Sequence, residues 1–123
     1  MIVGIILAAG ESRRMGTAKQ LLPWGETFLL QQVIDMATAS SLERLIVVLG
    51  HQAEEITRRI RLPEKAQVAV NEDFKAGMAS SIICGIRNTR EDAEAFVIIL
   101  GDQPLIEPGI VDRLIEASHR SPP

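Results

Sequence analysis

Apolar residues form continuous runs at three points along the chain, at 2–8, 45–49 and 95–100. Runs of this kind, rich in β-branched and aliphatic side chains, are typical of strands that are buried on both faces of a parallel sheet. A weaker apolar run at 67–70 predicts one more strand. The hydrophobic pattern therefore predicts a sheet whose strands lie far apart in the sequence.

Between these runs, apolar positions recur at helical spacing. The pattern predicts helices over 28–39, 53–60, 78–88 and 111–117, and Thr27 is a candidate N-cap for the first of them. Residues between the weak strand and the third helix are polar and rich in turn formers, so the segment 71–77 is predicted to be a loop.

Strands that alternate with helices predict an α/β protein with a Rossmann-like layered αβα fold and a mostly parallel sheet, in a single domain over 1–123. In such folds ligands bind beyond the carboxyl ends of the strands. If strands 2–8 and 95–100 are neighbours, the loops that follow them share one crevice. A strand as apolar as 95–100 is an aggregation hazard at a sheet edge, so we expect residues beyond 123 or a partner chain to complete the sheet.

Composition narrows the class of protein. The 123 residues are 46% hydrophobic, enough for one core, and the net charge is −3 with one Trp, three Phe and no Tyr. This balance excludes the basic stripe and stacking aromatics of a nucleic-acid binder.

No apolar run approaches the roughly 20 residues that a bilayer requires, and the N-terminus lacks a basic n-region, so we expect a cytoplasmic protein with no membrane partner. The single cysteine, Cys84, falls in a helical apolar pattern, which favours a buried side chain over a nucleophile.

The loop after the first strand combines glycines with cations. Gly10 and Gly16 allow backbone N–H groups to approach a phosphate closely, while Arg13, Arg14 and Lys19 supply positive charge. Lys19 is placed to reach the reacting phosphate, and the two arginines offer forked donors for the terminal phosphates. The spacing matches neither a Walker A loop nor G-x-G-x-x-G. The alternative is a solvated basic surface with ordinary turn glycines.

Polar residues elsewhere could complete such a site. Asp102 directly follows a strand and glycine, where a carboxylate can bind Mg²⁺ together with substrate phosphates, or can cap the turn before Pro104. Ser80 and Ser81 could hydrogen-bond a base or a sugar, or begin the third helix. His51 has no ligand partner at an informative spacing and is interpreted as a loop histidine.

Three motifs resemble one family. They are Leu7-Ala8-Ala9-Gly10-x-Ser12-x-Arg14-Met15-Gly16-x-x-Lys19-x-Leu21-Leu22-Pro23, Gly77-Met78-Ala79-Ser80-Ser81-Ile82 and Gly101-Asp102-Gln103-Pro104. The first resembles the signature of nucleotidyltransferases with the nucleotide-diphospho-sugar transferase fold. Together the three resemble the molybdenum cofactor cytidylyltransferase and molybdopterin guanylyltransferase-like group, over the whole chain.

The resemblance implies roles for individual residues. Arg14 and Lys19 would hold the triphosphate, Ser81 would contact the base or ribose, and Asp102 would bind magnesium. With Arg14, Lys19 and Asp102 as the catalytic set, the implied nucleotide-binding residues are Leu7, Ala8, Ala9, Gly10, Ser12, Arg13, Gly16, Ser80 and Ser81. Ala9 before Gly10 resembles the cytidylyl branch, so CTP is the expected nucleotide. Members of the family continue into a further portion that helps to bind the acceptor.

The resemblance implies a magnesium-dependent nucleotidyltransferase that transfers a nucleoside monophosphate to molybdopterin and releases pyrophosphate. Two alternatives stay open. One is a cytidylyltransferase acting on a sugar or polyol phosphate. The other is a non-catalytic accessory protein that binds the nucleotide or cofactor and delivers it to a molybdenum hydroxylase client.

Overall fold

The computed structural model describes residues 1–9, 13–14, 17–18, 23–24, 27–89, 93–102, 109, 112–113 and 115–116, with the backbone alone at 13–14, 17–18, 23–24 and 27. The strands are β1 (Ile2–Ala8), β2 (Arg13–Arg14), β3 (Thr17–Ala18), β4 (Pro23–Trp24), β5 (Thr27–Phe28), β6 (Arg44–Leu49), β7 (Ala66–Val70) and β8 (Ala95–Leu100). The helices are α1 (Leu29–Ala39), α2 (Ala53–Arg59) and α3 (Met78–Arg87). Residues described at 109–116 are also helical.

The main sheet contains four strands in the order β7-β6-β1-β8, and every neighbouring pair is parallel. In the registers, Ile5 of β1 lies between Ile46 of β6 and Ile98 of β8. Within the described residues β8 is an edge strand. The predicted α/β fold with a parallel sheet is confirmed. The first and last apolar strands, β1 and β8, are neighbours, which is the condition for their loops to share one crevice.

Alternating side chains of the strands build two cores. Ile2 and Ile6 of β1 belong to the cluster that α1 and α2 cover, whereas Val3 and Ile5 belong to the cluster on the opposite face, where α3 packs. Both sets are buried, which explains why β1 carries no polar side chain along its length. The sheet is therefore the middle of three layers.

Small residues bring α3 close to the sheet. A Cβ atom at Gly85 would lie 2.7 Å from Ile5 Cγ2, and the buried residues of the helix are Ser81 and Gly85. Ile83 and Ile86, from which the helix was predicted, are 47% and 42% exposed. The helix prediction is confirmed, but its close contact with the sheet is made by its small side chains.

Several boundaries differ from the sequence predictions. The N-cap of α1 is Phe28, without a side-chain hydrogen bond, so the prediction that Thr27 caps this helix is wrong; Thr27 instead pairs with Trp24. A 3₁₀ turn over Phe74–Ala76 interrupts the segment predicted to be a loop, because Gly77 N–H bonds back to the Phe74 carbonyl. Gly109 is already helical, ahead of the predicted start of the last helix.

At the amino ends of the parallel strands, here called the amino edge, charged groups hold neighbouring segments together. The N-terminal amine lies 2.9 Å from Glu94 Oε1. Lys65 Nζ donates to the Leu42 carbonyl at 2.7 Å and to the Ser40 carbonyl at 3.3 Å. No helix in the described part of the chain is long and apolar enough to cross a membrane.

Candidate active site

The carboxyl ends of the four parallel strands, here called the carboxyl edge, are Ala8, Leu49, Val70 and Leu100. From β1 the chain builds outward through β6 and β7, and then returns to place β8 on the other side of β1. The strand order therefore reverses at β1. In open α/β sheets the crevice at such a switch point is the usual ligand site.

A backbone hydrogen bond joins the first residue after β8 to β1 at the switch point. Gly101 N–H donates to the Leu7 carbonyl at 2.9 Å. A Cβ atom at residue 101 would lie 2.9 Å from that carbonyl oxygen and 3.1 Å from Ala8 Cβ, so glycine is needed for this close approach. The next residue, Asp102, is exposed. Asp102, the carboxylate predicted to bind a metal ion, therefore lies beside the end of β1, where the loop with the cations begins.

Asp102 fits a hard divalent cation that is shared with a ligand. Among the residues that the structure describes, no group of three His, Cys, Asp or Glu side chains is arranged to hold a metal ion. Mg²⁺ is commonly bound through one or two carboxylates together with water and substrate phosphates. Asp102 is the carboxylate at this edge that would take part in such a site.

The loop after β1 is described in part. Ala9 is buried, and its carbonyl accepts the His51 N–H at 3.5 Å. Further on, β2 and β3 form a small antiparallel pair in which Arg14 lies opposite Thr17. Gly10, Ser12, Gly16 and Lys19, with the side chains of Arg13 and Arg14, lie outside the described residues. Their predicted phosphate roles stay predictions.

The two serines of α3 are hydrogen-bonded to Asn71, which lies in the segment predicted to be a loop. Asn71 Nδ2 donates to Ser80 Oγ at 2.9 Å and to Ser81 Oγ at 3.0 Å. Ser80 Oγ in turn donates to the Gly77 carbonyl at 2.7 Å, which matches the predicted alternative of a residue that begins the helix. Ser81 is buried. The signal that could have identified Asn71 is its place directly after a strand.

The turn after β6 also lies at the carboxyl edge. Gly50 packs so closely that a Cβ atom there would lie 2.6 Å from Phe74 Cβ and 3.0 Å from the Ala9 carbonyl oxygen. His51, predicted to be a loop histidine, has its ring centroid 5.8 Å from that of Phe74. Gln52 adopts a left-handed conformation with φ 58°, and its buried Oε1 has no hydrogen-bond partner among the described residues.

The surroundings of Cys84 disfavour the thiolate form of its side chain. The side chain is half-buried on α3, and Sγ contacts the Val70 carbonyl at 3.6 Å. Burial raises the pKa of the thiol, and the neighbouring Arg87 opposes that shift only in part. A thiol whose pKa is raised stays protonated at neutral pH and reacts slowly.

Fold and switch-point geometry together define a nucleotide-binding α/β domain. Residues 4–123 match the family described as the MobA-like NTP transferase domain. The chain belongs to this family of nucleotidyltransferases, and the predicted membership is confirmed.

The chain is also similar to a named relative and to proteins of known structure. Nicotine blue oxidoreductase of Paenarthrobacter nicotinovorans is 32% identical over 125 residues, which cover 97% of this chain and 57% of that protein. Rv0371c of Mycobacterium tuberculosis H37Rv has a TM-score of 0.87 at 34% identity, over 98% of this chain and 61% of that one. Another structure of Rv0371c is a complex with manganese, with a TM-score of 0.83 at 32% identity, over 98% of this chain and 60% of that one.

A nucleotidyl transferase from Methanothermobacter thermautotroptrophicus has a TM-score of 0.82 at 25% identity, over 94% of this chain and 57% of that one. The chain therefore spans about three fifths of the length of these proteins. The likeness extends through the chain from β1 to the helical residues after β8.

Proposed function

We propose that this chain forms the nucleotide-binding part of an enzyme that transfers CMP from CTP to a terminal phosphate of molybdopterin and releases pyrophosphate. The observation that carries the proposal is the hydrogen bond from Gly101 N–H to the Leu7 carbonyl. That bond brings an exposed carboxylate, Asp102, to the start of the loop that carries Arg14 and Lys19. Cations and a carboxylate at one switch point are the groups that a metal-bound nucleoside triphosphate requires.

The transfer requires no nucleophile from the protein. An oxygen of the acceptor phosphate attacks the α-phosphorus of CTP, and a new P–O bond forms there. The bond from the α-phosphorus to the bridging oxygen breaks, and pyrophosphate leaves with the electron pair. A divalent cation bound by Asp102 would neutralise charge on the phosphates. Arg14 and Lys19 would hold the triphosphate in line and stabilise the charge on the leaving group.

The preference for CTP rests on Ala9, which precedes Gly10 where the guanylyl branch has glycine. Ala9 is buried against the α3 face of the sheet, and its carbonyl is held by His51 N–H. The position therefore has a fixed backbone next to the loop. We assign it to the wall of a pyrimidine site, in keeping with the resemblance to the cytidylyl branch.

The first experiment measures binding of CTP, GTP, ATP and UTP to the complete protein with Mg²⁺ and with Mn²⁺. We expect CTP to bind most tightly, and only in the presence of a divalent cation. Tighter binding of GTP than of CTP would overturn the choice of nucleotide.

The second experiment measures pyrophosphate release from CTP with three candidate acceptors: molybdopterin, a sugar phosphate and a polyol phosphate. Release with molybdopterin alone supports the proposed acceptor, whereas release with a sugar or polyol phosphate supports the alternative cytidylyltransferase. Tight CTP binding without release in any mixture would indicate an accessory protein that delivers nucleotide or cofactor to a molybdenum hydroxylase.

The name of one relative favours a second candidate, a redox reaction on an aromatic substrate. The sequence contains no G-x-G-x-x-G fingerprint of a dinucleotide site, which weighs against this candidate. The same preparation is assayed for oxidation of NADH and NADPH with an aromatic dye as electron acceptor. Turnover there, without pyrophosphate release from CTP, would favour the redox reaction.

A further inference from the structure

Asn71 occupies a structural position that links two strands to the start of α3. It directly follows β7, it is 6% exposed, and its N–H donates to the Leu49 carbonyl of β6 at 2.7 Å. The backbone of Asn71 is therefore fixed at the carboxyl edge. Its side chain extends from there toward the first turn of α3.

The orientation of the Asn71 amide follows from its partners. Oδ1 accepts the N–H of Asp73 at 3.0 Å. Because a backbone N–H can only donate, the oxygen of the amide must face Asp73 and the nitrogen must face the serines. The two hydrogens of Nδ2 are then used on Ser80 Oγ and Ser81 Oγ.

This orientation decides what each serine hydroxyl can do. Each oxygen accepts a hydrogen from Asn71, so each hydroxyl proton must be directed elsewhere. The proton of Ser80 is used by the Gly77 carbonyl at 2.7 Å, with the Asp73 carbonyl at 3.2 Å as a second acceptor. In the part of the chain that the structure describes, no acceptor lies within hydrogen-bonding distance for the proton of Ser81, which is 5% exposed. Ser81 is left as a donor.

We propose that Asn71 is a positioning residue that fixes Ser81 as a hydrogen-bond donor to an acceptor atom of the bound nucleoside, on the base or on the ribose. The proposal rests on the proposed nucleotide site and adds the direction of one hydrogen bond, from the hydroxyl of Ser81 to the nucleoside. Asn71 itself touches no ligand, and it acts by occupying the lone pair that Ser81 would otherwise offer. Ser80, satisfied by backbone carbonyls, has a structural role alone.

The test is a double-mutant cycle on CTP affinity, measured by calorimetry with the complete protein and Mg²⁺. The variants are Asn71→Asp, Ser81→Ala and the pair. Asp at residue 71 can still accept the Asp73 N–H, but as a carboxylate it cannot donate to the serines. We expect each single variant to weaken CTP binding about tenfold. Because Asn71 acts through Ser81, the double variant should bind no more weakly than Ser81→Ala.

Additive losses would overturn the proposal, since they would mean that Asn71 affects the site independently of Ser81. The negative charge of Asn71→Asp is controlled by measuring inorganic triphosphate, whose affinity should be the same in Asn71→Asp and in wild type. If Asn71→Asp does not fold, Asn71→Ser takes its place, because the shorter side chain cannot reach both hydroxyls. If the wild-type protein binds no CTP at all, the proposed function fails, which is a different result from additivity.

Two analogues distinguish the acceptors. If the loss caused by Ser81→Ala disappears with dCTP, the acceptor is the ribose 2′ oxygen. If it disappears with 2-thio-CTP, the acceptor is the carbonyl of the base. A loss that persists with both analogues assigns the acceptor to N3 of the base or the 3′ oxygen of the ribose, whereas no loss with CTP overturns the proposed donor role.

Discussion

The two edges of the sheet differ in how their polar groups are used. At the amino edge, Lys65 Nζ is bonded to two backbone carbonyls, and Asp112 Oδ1 accepts both the N–H and the Oγ–H of Ser41 at 2.8 Å. At the carboxyl edge, Asp102 is exposed, and the buried Oε1 of Gln52 has no partner among the described residues. Polar groups at the first edge hold the fold together, while those at the second edge include the residues that we propose for ligand binding.

Backbone geometry shows the same difference. Gln52, at the carboxyl edge, is the non-glycine residue with a positive φ in the described part of the chain. Gly50 and Gly101 there lie against neighbouring atoms at distances that no side chain could occupy. Backbone strain of this kind concentrates at functional sites, whereas close approach at a glycine also occurs at Gly4 and Gly85, away from this edge. Substitutions at the two edges should therefore have separable effects on catalysis and on stability.

The largest effect is expected from Lys19→Ala and Asp102→Ala in the complete enzyme. Each removes a group that stabilises charge in the transition state, so we expect pyrophosphate release to slow by about 100-fold or more. The melting temperature should stay near that of wild type. Arg58→Ala and Glu64→Ala, at exposed positions, serve as matched controls and should keep full turnover. Near-normal turnover of either site variant would refute its assigned role.

Gly101→Ala should lower the free energy of unfolding by about 1–3 kcal/mol, since the added methyl group meets the Leu7 carbonyl at the switch point. Urea denaturation measures the change. The control is Gly109→Ala, at a helical position where an added Cβ atom would have no neighbour within 4 Å. Its free energy of unfolding should rise by about 0.5–1 kcal/mol instead. Equal stability of the two variants would show that β8 does not depend on this close contact.

Lys65→Met tests the amino edge. It removes the charged donor of the Ser40 and Leu42 carbonyls, and we expect the free energy of unfolding to fall by about 1–3 kcal/mol. CTP affinity should be unchanged, because the contact lies at the opposite edge from the site. A loss of CTP affinity without a loss of stability would break the separation between the edges.

A smaller change is expected for Gln52→Gly, which should raise the free energy of unfolding instead of lowering it. Glycine adopts the left-handed conformation without strain, and the substitution also removes the unpartnered acceptor. We expect the free energy of unfolding to rise by up to about 1 kcal/mol, measured in urea. A decrease would mean that the Gln52 side chain contributes more to packing than its conformation costs.

The smallest effect concerns pH. The hydrogen bonds from Ser41 N–H and Oγ–H lower the pKa of Asp112, so the folded state favours the ionised carboxylate. This contribution to stability is present above the pKa of an unfolded aspartate, about 3.9, and is lost as the pH falls through the lowered value. Melting temperatures from pH 7 downward should therefore fall more steeply for wild type than for Asp112→Asn. Parallel curves would rule out the contact as a source of acid sensitivity.

β1 could be predicted because burial on both faces makes it apolar throughout. β8 could be predicted because it is equally apolar, although Ile98 is exposed and the strand lies at an edge of the described sheet. Alternation with helices was enough to indicate a parallel sheet, and the condition that β1 and β8 are neighbours could be stated in advance. Their adjacency could not be derived, because strand order depends on how helices pack across the two faces. The structure decides it through the register of Leu7 with Leu100.

Features built from small or polar residues were harder to predict. Hydrophobic patterns give weight to Ile83 and Ile86, yet α3 reaches the sheet through Ser81 and Gly85, because small side chains allow the closest approach. Asn71 was hidden in a polar segment, since its role depends on bonds to residues on both sides of a turn. For the candidate site, the sequence predicted Asp102 and the serines, but not the asparagine between them.

The pairing of β1 with β8 has a consequence for the folding pathway. Leu7 and Leu100 come from opposite ends of the described chain, so joining their strands closes a very long loop, and long-range parallel pairings form slowly. The carboxylate of Asp102 reaches the first loop only when this pairing is complete. During synthesis the intervening α1, β6 and α2 are available to fold earlier, and the capacity to bind a metal–nucleotide complex is therefore expected to arise late, together with the final docking of β8.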